Sequence, residues 1–374
     1  MDYAMMLNLR PKTLQTQTTT HNTATVDFVN QLLSRAVTQA ISDIHIEPFE
    51  EYCRIRLRHD GLLREVSTIA PLLAQQINTR LKIMSNLNIA EKRLPQDGRL
   101  SIFTNQSIDI RINTCPTLFG EKIVLRLLYT KENTLNIAAL GMTGDQQQLF
   151  IKKLTAPQGF ILVAGPTGCG KTTTLYAALN YLNRVEKNII TIEDPIEIAL
   201  QGINQVAVNT QIGLSFAHLL RALLRQDPDI MMIGEIRDKE TAAIALEATT
   251  TGHLVLSTLH AQNAAAAFSR LKTLGITQHD LIQTKPLIIS QRLVRMLCQY
   301  CKNNPPLKKI LNQMACEHCY QGYVNRIGIF EMLTVSSHHK NNYLLTLNDA
   351  CLLKIQEGLT TQEEICRVLG EETH

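Results

Sequence analysis

The stretch with the most explicit chemistry is Gly165-Pro166-Thr167-Gly168-Cys169-Gly170-Lys171-Thr172-Thr173. Glycines at this spacing let backbone N–H groups turn inward around phosphate oxygens, and a helix opening at once behind them adds unpaired amides and the positive end of its dipole. Lys171 would reach the β and γ phosphates, and the Thr172 hydroxyl would hold Mg²⁺. The apolar run Phe160 to Ala164 leads into the loop, and Leu175, Ala178, Leu179 and Leu182 follow at helical spacing. The order is therefore strand, phosphate loop, helix.

Two carboxylates stand where such a loop could use them. Glu193 closes the apolar run Asn188 to Ile192, and Glu235 follows Ile230 to Ile233. One would orient Mg²⁺ through water and the other would align the attacking water, with the two assignments open at this level. His253, at the end of a fourth predicted strand, Leu254 to Leu256, suits a γ-phosphate sensor. Strands alternating with helical segments predict a parallel sheet with helices on both faces, where chemistry collects at the carboxy-terminal strand ends.

A second constellation lies further on. Cys298-x-x-Cys301 and Cys316-x-x-Cys319 are separated by a Lys- and Asn-rich loop. Two such pairs supply four thiolates to one tetrahedral ion and leave no open position, the pattern of structural Zn²⁺. His318 is a spare nitrogen in the second pair. The remaining cysteines are scattered and the total is nine, which argues against a secreted disulfide framework.

The chain that carries these groups has 374 residues, enough for two or three domains. A net charge of +4, with no Lys/Arg stripe and 5% aromatic content, offers nothing for nucleic acid to bind. No run of 18 apolar residues or basic leader is present, so the expectation is a cytoplasmic protein, peripheral to a membrane at most.

Residues 1–22, rich in Thr, Gln and Asn, read as a flexible tail, and 23–130 as a first domain. Thr25 would cap a helix carrying Val26, Val29, Leu33, Ala36 and Ala40. A β-rich stretch follows: Ser42 to Pro48 alternates, Cys53, Ile55 and Leu57 alternate with Arg54, Arg56 and Arg58, and Asp60-Gly61 turns the chain back through Leu62 to Val66. A helix is expected from Pro71 to about Asn86. Arg111 and Arg126 stand alone on apolar strands, where a charge needs a partner. Residues 131–145 read as a linker, 146–374 as the second domain with a zinc subdomain at about 296–323, and the C-terminus as helical, with a capping box at Thr360 or Thr361 and a stop at Gly370.

Taken together, the phosphate loop extended by Thr174-Leu175-Tyr176, Glu193-Asp194-Pro195-Ile196-Glu197, Arg225-Gln-Asp-Pro-Asp with Gly234-Glu235-Ile236-Arg237-Asp238, and Thr251-Gly252-His253 resemble the secretion ATPase superfamily of type II secretion and type IV pili. The likeness covers the chain from about Ser42 onward. It implies a PAS-like α+β N-terminal domain followed by a RecA-like ATPase domain, a homo-hexamer with ATP bound between the domains, and work on a polytopic inner-membrane platform protein. It also implies that Arg111 and Arg126 reach the phosphates from the first domain. The cysteine pairs and Gly322-Tyr323-x-x-Arg326-x-Gly328-Ile329-Phe330-Glu331 resemble assembly and secretion motors. Ile196-Glu197-Ile198, Gln205-Val206 and Leu287-Ile-Ile-Ser-Gln-Arg-Leu resemble pilus extension more than type II secretion. Three departures are expected to matter: the chain starts after the position of a further membrane-docking domain, Cys169 stands where Ser is usual, and Ala261-Gln262 replace Thr-Asn. They motivate an alternative reading, a nucleotide-binding ring with little turnover.

Overall fold

The computed structural model describes residues 21–103, 107–129, 135–303, 316, 319–335 and 341–370. The chain divides into two units, Met1–Thr130 and Lys131–His374.

The first unit runs α1 (His21–Thr38), β1 (Asp43–Pro48), β2 (Cys53–His59), β3 (Leu62–Ile69), α2 (Pro71–Met84), β4 (Gln96–Phe103), β5 (Ser107–Thr117) and β6 (Gly120–Leu128). Its six strands form an antiparallel sheet in the order β3-β2-β1-β6-β5-β4. Strict alternation decides the faces: Ile44, Ile46, Ile55, Ile110, Ile112, Ile123 and Leu125 turn to one side and pack with Val29, Leu33, Ala36, Ile77 and Leu81 of the two helices. The charged residues of the same strands are left on the other side, except Glu121 of β6, which lies on the helix side and pairs with the buried Lys82 of α2. The β2–β3 turn has Asp60 and Gly61 at φ 47° and 85°, the left-handed pair a two-residue hairpin needs.

Thr25 does not cap α1, because the helix already begins at His21. Its buried hydroxyl donates instead to Gln76 Oε1 of α2 at 3.0 Å, a tertiary partner that competes with the capping role. α2 stops two residues short of the expected Asn86, which sits at φ 55° outside the helix.

The second unit contains α3 (Gly144–Leu154), β7 (Gly159–Ala164), α4 (Lys171–Leu182), β8 (Ile189–Glu193), β9 (Asn204–Ala207), α5 (Phe216–Leu223), β10 (Ile230–Ile233), α6 (Lys239–Thr250), β11 (Leu254–Leu259), α7 (Ala264–Thr273), α8 (Gln278–Thr284), β12 (Leu287–Leu297), α9 (Gln299–Asn303), β13 (Tyr323–Val335), β14 (Asn341–Leu345), α10 (Leu347–Gln356) and α11 (Gln362–Leu369). The eight-stranded sheet has the order β14-β13-β12-β7-β11-β10-β8-β9. Strands β12 through β9 in that order are mutually parallel, and β13 and β14 add antiparallel at one side. Its central strands are buried on both faces, as near-continuous apolar runs must be. One face packs with α5, α6 and α7 and the other with α3 and α4.

The stretch read as a linker is not a spacer over its described part. Leu135 O accepts from Asn180 Nδ2 at 3.1 Å, Leu140 O accepts from Gly328 N at 3.1 Å, and Thr143 caps α3 in a reciprocal box with Gln146. At the C-terminus Thr361 caps α11 and Gly370 ends it at φ 75°. The reciprocal half of the expected box is missing, because the Glu364 carboxylate is occupied by Arg295 and Arg367. Among the described residues no helix is long and apolar enough to cross a membrane.

Candidate active site

Parallel strands deliver their carboxy ends to one edge of the second unit's sheet. Ala164, Glu193, Ile233 and Leu259 end β7, β8, β10 and β11 there, with Leu259 opposite Ala164 and Ile233 opposite Ile192 and Ser257. The phosphate loop leaves β7 and rests on β12: a Cβ on Gly165 would lie 2.5 Å from Cys169 Sγ and 2.7 Å from the Gln291 carbonyl, and one on Gly170 would lie 2.9 Å from Gln291 Nε2. With φ of 153° and 89° as well, both positions demand glycine. Gln291, buried, accepts from the Thr174 hydroxyl at 2.7 Å and so ties the first turn of α4 to the strand beneath.

Pro166, Thr167, Gly168, Thr172 and Thr173 are exposed above that support. Lys171 Nζ donates to the carbonyls of Gly165 at 2.8 Å and Pro166 at 3.1 Å. Burial pushes this ammonium below the ordinary lysine range, against the opposing pull of Cys169 and Glu235. Cys169 points down into the protein at 4% exposure, and burial raises its thiol pKa despite Lys171 and Arg292 nearby. The thiol is therefore turned away from the exposed side of the loop, and the Cys169 N–H donates to Pro166 O at 3.4 Å.

The two carboxylates have opposite surroundings. Glu193 is 3% exposed and accepts from Thr191 Oγ1 at 2.6 Å, from Gln205 Nε2 at 3.0 Å and from the Tyr176 hydroxyl. Glu235 keeps 19% of its side chain exposed, accepts from Arg237 Nε at 2.8 Å and lies 3.3 Å from His260 Nε2. Arg237 reaches on to Asp194 at 3.6 Å. Gly234 is held by strand neighbours: its N–H donates to Ile192 O at 2.7 Å and its carbonyl accepts from Thr258 Oγ1 at 2.6 Å.

His253 is not with them. It precedes β11 at the amino-terminal edge, where its Nδ1 lies 2.8 Å from the Ala248 carbonyl at the end of α6 and its own carbonyl accepts from Gly159 N at 3.2 Å. Six residues of strand, about 20 Å, separate it from the phosphate loop. His260, at the other end of the same strand, is the histidine that meets Glu235. Sequence reading missed it, although the signal was present: of two histidines flanking one parallel strand, the one at the carboxy end faces the site. Gln291, Arg237 and Tyr176 stand in motifs already read from the sequence, but only their tertiary contacts show what each one holds. The altered Ala261-Gln262 pair is beside the site through its backbone, since Gln262 O accepts from Arg292 Nη2.

Arg111 and Arg126 lie in the first unit, directly opposite each other on β5 and β6. Arg126 donates from Nε to Asp43 at 2.8 Å and leaves 61% of its side chain exposed. The arginines of β2 are charge-paired, Arg54 and Arg56 with Glu47 and Arg58 with Asp43.

The four cysteine sulfurs Cys298, Cys301, Cys316 and Cys319 all lie within 4.8 Å of one another. The closest approaches are 3.3 Å for Cys316–Cys319, 3.5 Å for Cys301–Cys319 and 3.8 Å for Cys298–Cys316. These are too long for a disulfide and close to the roughly 3.8 Å edge of a tetrahedron with 2.3 Å zinc–sulfur arms. The donor set fits Zn²⁺. His318 and residues 304–315 of the loop between the pairs lie outside the described residues.

Comparison with known proteins agrees with this geometry. Residues 18–368 match the family described as type II/IV secretion system protein. The chain is 43% identical over 92% of its length to the type IV pilus assembly ATPase PilB of Pseudomonas aeruginosa, of which it covers 67%. It is also 43% identical over 93% of its length to the type II secretion system protein E of Pectobacterium carotovorum, covering 76% of that protein. The fold is that of the RecA-like secretion ATPases: the Legionella pneumophila ATPase DotB superposes with TM-score 0.67 at 20% identity, covering 90% of this chain and 94% of that one. The pilus retraction motor PilT superposes with TM-score 0.61 at 24% identity, covering 90% and 95%. The chain belongs to the type II/IV secretion system protein family, the ATPases of pilus assembly and secretion.

Proposed function

We propose that this protein is a Mg²⁺-dependent ATP hydrolase, acting as a cytoplasmic homo-hexamer that powers type IV pilus assembly at a polytopic inner-membrane platform protein. The observation that carries the catalytic part is the meeting of Lys171, Thr172, Glu235 and His260 at the carboxy-terminal edge of one parallel sheet. ATP supplies the phosphoanhydride and Mg²⁺ neutralises its charge when bound. The chain's own residues do the rest. Loop amides between Thr167 and Thr173 cradle phosphate, Lys171 exchanges the Gly165 and Pro166 carbonyls for phosphate oxygens, and the exposed Thr172 hydroxyl sits at the first helical turn for the metal. Glu235, partly open and held between Arg237 and His260, aligns the attacking water and takes its proton. Glu193, closed in by Tyr176, Thr191 and Gln205, keeps the end of β8 and the neighbouring Asp194 in place. Arg111 and Arg126 stabilise the phosphates from the first, PAS-like domain, and the four cysteines hold a structural Zn²⁺.

Type II secretion is the second reading, since relatives of both kinds match at the same identity. Phosphate release by purified protein, beside Glu235→Gln and Lys171→Ala with oligomer mass recorded, tests the catalytic part. Both variants should fall at least about tenfold as hexamers. Wild-type release no faster than Glu235→Gln would replace the motor with a nucleotide-binding ring. Bound zinc should be one ion per chain by elemental analysis and absent from Cys316→Ser/Cys319→Ser. Restoration of pili, or of secretion, in a strain lacking the corresponding ATPase separates the two machines.

A further inference from the structure

The alternating segment Ser42 to Pro48 has no part in the chemistry above, yet one of its residues is placed to control it. On the sheet face of the first unit that the helices leave open, strand register sets Arg99, Arg111, Arg126, Asp43 and Arg58 in one cross-strand row. Like charges directly opposite each other weaken a strand pair, and this row contains four arginines with Asp43 as its one acid. Asp43 is 4% exposed. Its Oδ1 accepts from Arg126 Nε at 2.8 Å, and its Oδ2 accepts from Ser42 Oγ at 2.8 Å and lies 3.5 Å from Arg58 Nε.

The two arginines it holds are used differently. Arg58 is tied at its far side too, donating from Nη1 to Gly61 O at 2.9 Å. Among the described residues Arg126 is held at Nε alone, with 61% of its side chain exposed. A bond at Nε fixes the guanidinium plane and leaves the Nη1/Nη2 fork, the edge whose spacing matches two oxygens of a phosphate.

We propose that Asp43 is the positioning residue of Arg126. The carboxylate, buried and fixed by Ser42, orients the guanidinium so that its outer fork is presented ready-made to phosphate instead of being ordered at each turnover. This rests on the reading that Arg126 acts on the nucleotide phosphates, and the test separates the two ideas. Steady-state ATP turnover is measured for the full chain as wild type, Asp43→Ala, Asp43→Asn, Arg126→Ala and the Asp43→Ala/Arg126→Ala double variant, with oligomer mass and Tm recorded.

Expected are a fall in kcat of about tenfold or more for Arg126→Ala, a comparable fall for Asp43→Ala, and a double variant no slower than Arg126→Ala alone, because a positioning residue has nothing left to position. Asp43→Asn, which keeps an acceptor for Nε without the charge, should lie between wild type and Asp43→Ala. If Asp43→Ala does not assemble, the cycle is run with Asp43→Asn and read in the same way. A double variant slower than Arg126→Ala by the full Asp43 factor makes Asp43 merely structural and overturns the proposal. So does undiminished kcat in Asp43→Ala beside an impaired Arg126→Ala. Undiminished kcat in Arg126→Ala overturns the phosphate reading of Arg126 itself.

Discussion

The two edges of the second unit's sheet carry the same residue types and put them to different ends. Each has a partly buried lysine and a histidine: Lys171 and His260 at the carboxy-terminal edge, Lys153 and His253 at the amino-terminal one. At the first edge α4 begins and its free amides attract anions. At the second α6 and α8 end, and their free carbonyls attract donors. Lys153 Nζ accordingly donates to Lys285 O just past α8 at 3.0 Å, and His253 Nδ1 lies 2.8 Å from Ala248 O of α6. The second edge also encloses a cavity of about 340 Å³ lined by Lys153, Gln158, Thr249, Thr250, Thr284 and Lys285, among others. The direction of the chain, more than the side chain it carries, decides which lysine sits where a helix begins and which where helices end.

The contrast is broken or sharpened first by charge removal. Lys171→Ala and Glu235→Gln should lose about 10² to 10⁴ in kcat, whereas Lys153→Met should stay within about twofold of wild type in ATP turnover. A comparable loss in Lys153→Met would erase the distinction between the edges. The histidines come next. His260→Ala should lower kcat about tenfold or more with little change in Tm, and His253→Ala should do the reverse, losing about 1 kcal/mol of stability with its hydrogen bond while turnover holds. If His253→Ala is the slower enzyme, the edge assignment is wrong.

A smaller effect is expected from the support under the loop. Gln291→Leu removes the acceptor for Thr174 and the group beneath Gly170, and should raise the KM for ATP several-fold at nearly constant kcat. The smallest is a pH effect on stability. Burial, with Lys285 and Lys152 adding to it, lowers the Lys153 pKa in the folded chain. The native state then binds fewer protons than the unfolded one below the ordinary lysine value of about 10.4, so this group's contribution to stability rises as pH rises toward that value. Urea unfolding at about pH 7 and about pH 9.5 should show the difference between wild type and Lys153→Met moving in favour of wild type. A flat or reversed difference would mean that Lys153 is not held in a buried, carbonyl-facing position.

Much of this was legible from residues alone, for physical reasons. The phosphate loop is local: seven spacings and three glycines force a turn between a strand and a helix, and the motif carries its chemistry with it. The cysteine pairs are equally local, and a parallel sheet follows from apolar runs alternating with helical stretches. What failed was anything that depended on partners distant in sequence. Thr25 looked like a cap until Gln76 offered its hydroxyl a bond from 51 residues away, and Glu364 left its capping box for Arg295, 69 residues away. Glu193 and Glu235 are equivalent as letters following apolar strands. Burial and three donors on one, and an open side with Arg237 and His260 on the other, make them different.

The sequence by itself determined the phosphate-binding chemistry, the thiolate cluster and the alternation that builds both sheets, because each is set by spacing along a few residues. Tertiary structure alone decided which histidine joins the site, which carboxylate stays open, and how Asp43 fixes one face of Arg126 while leaving the other free. Those outcomes depend on strand direction, register and burial, which no short stretch of sequence contains.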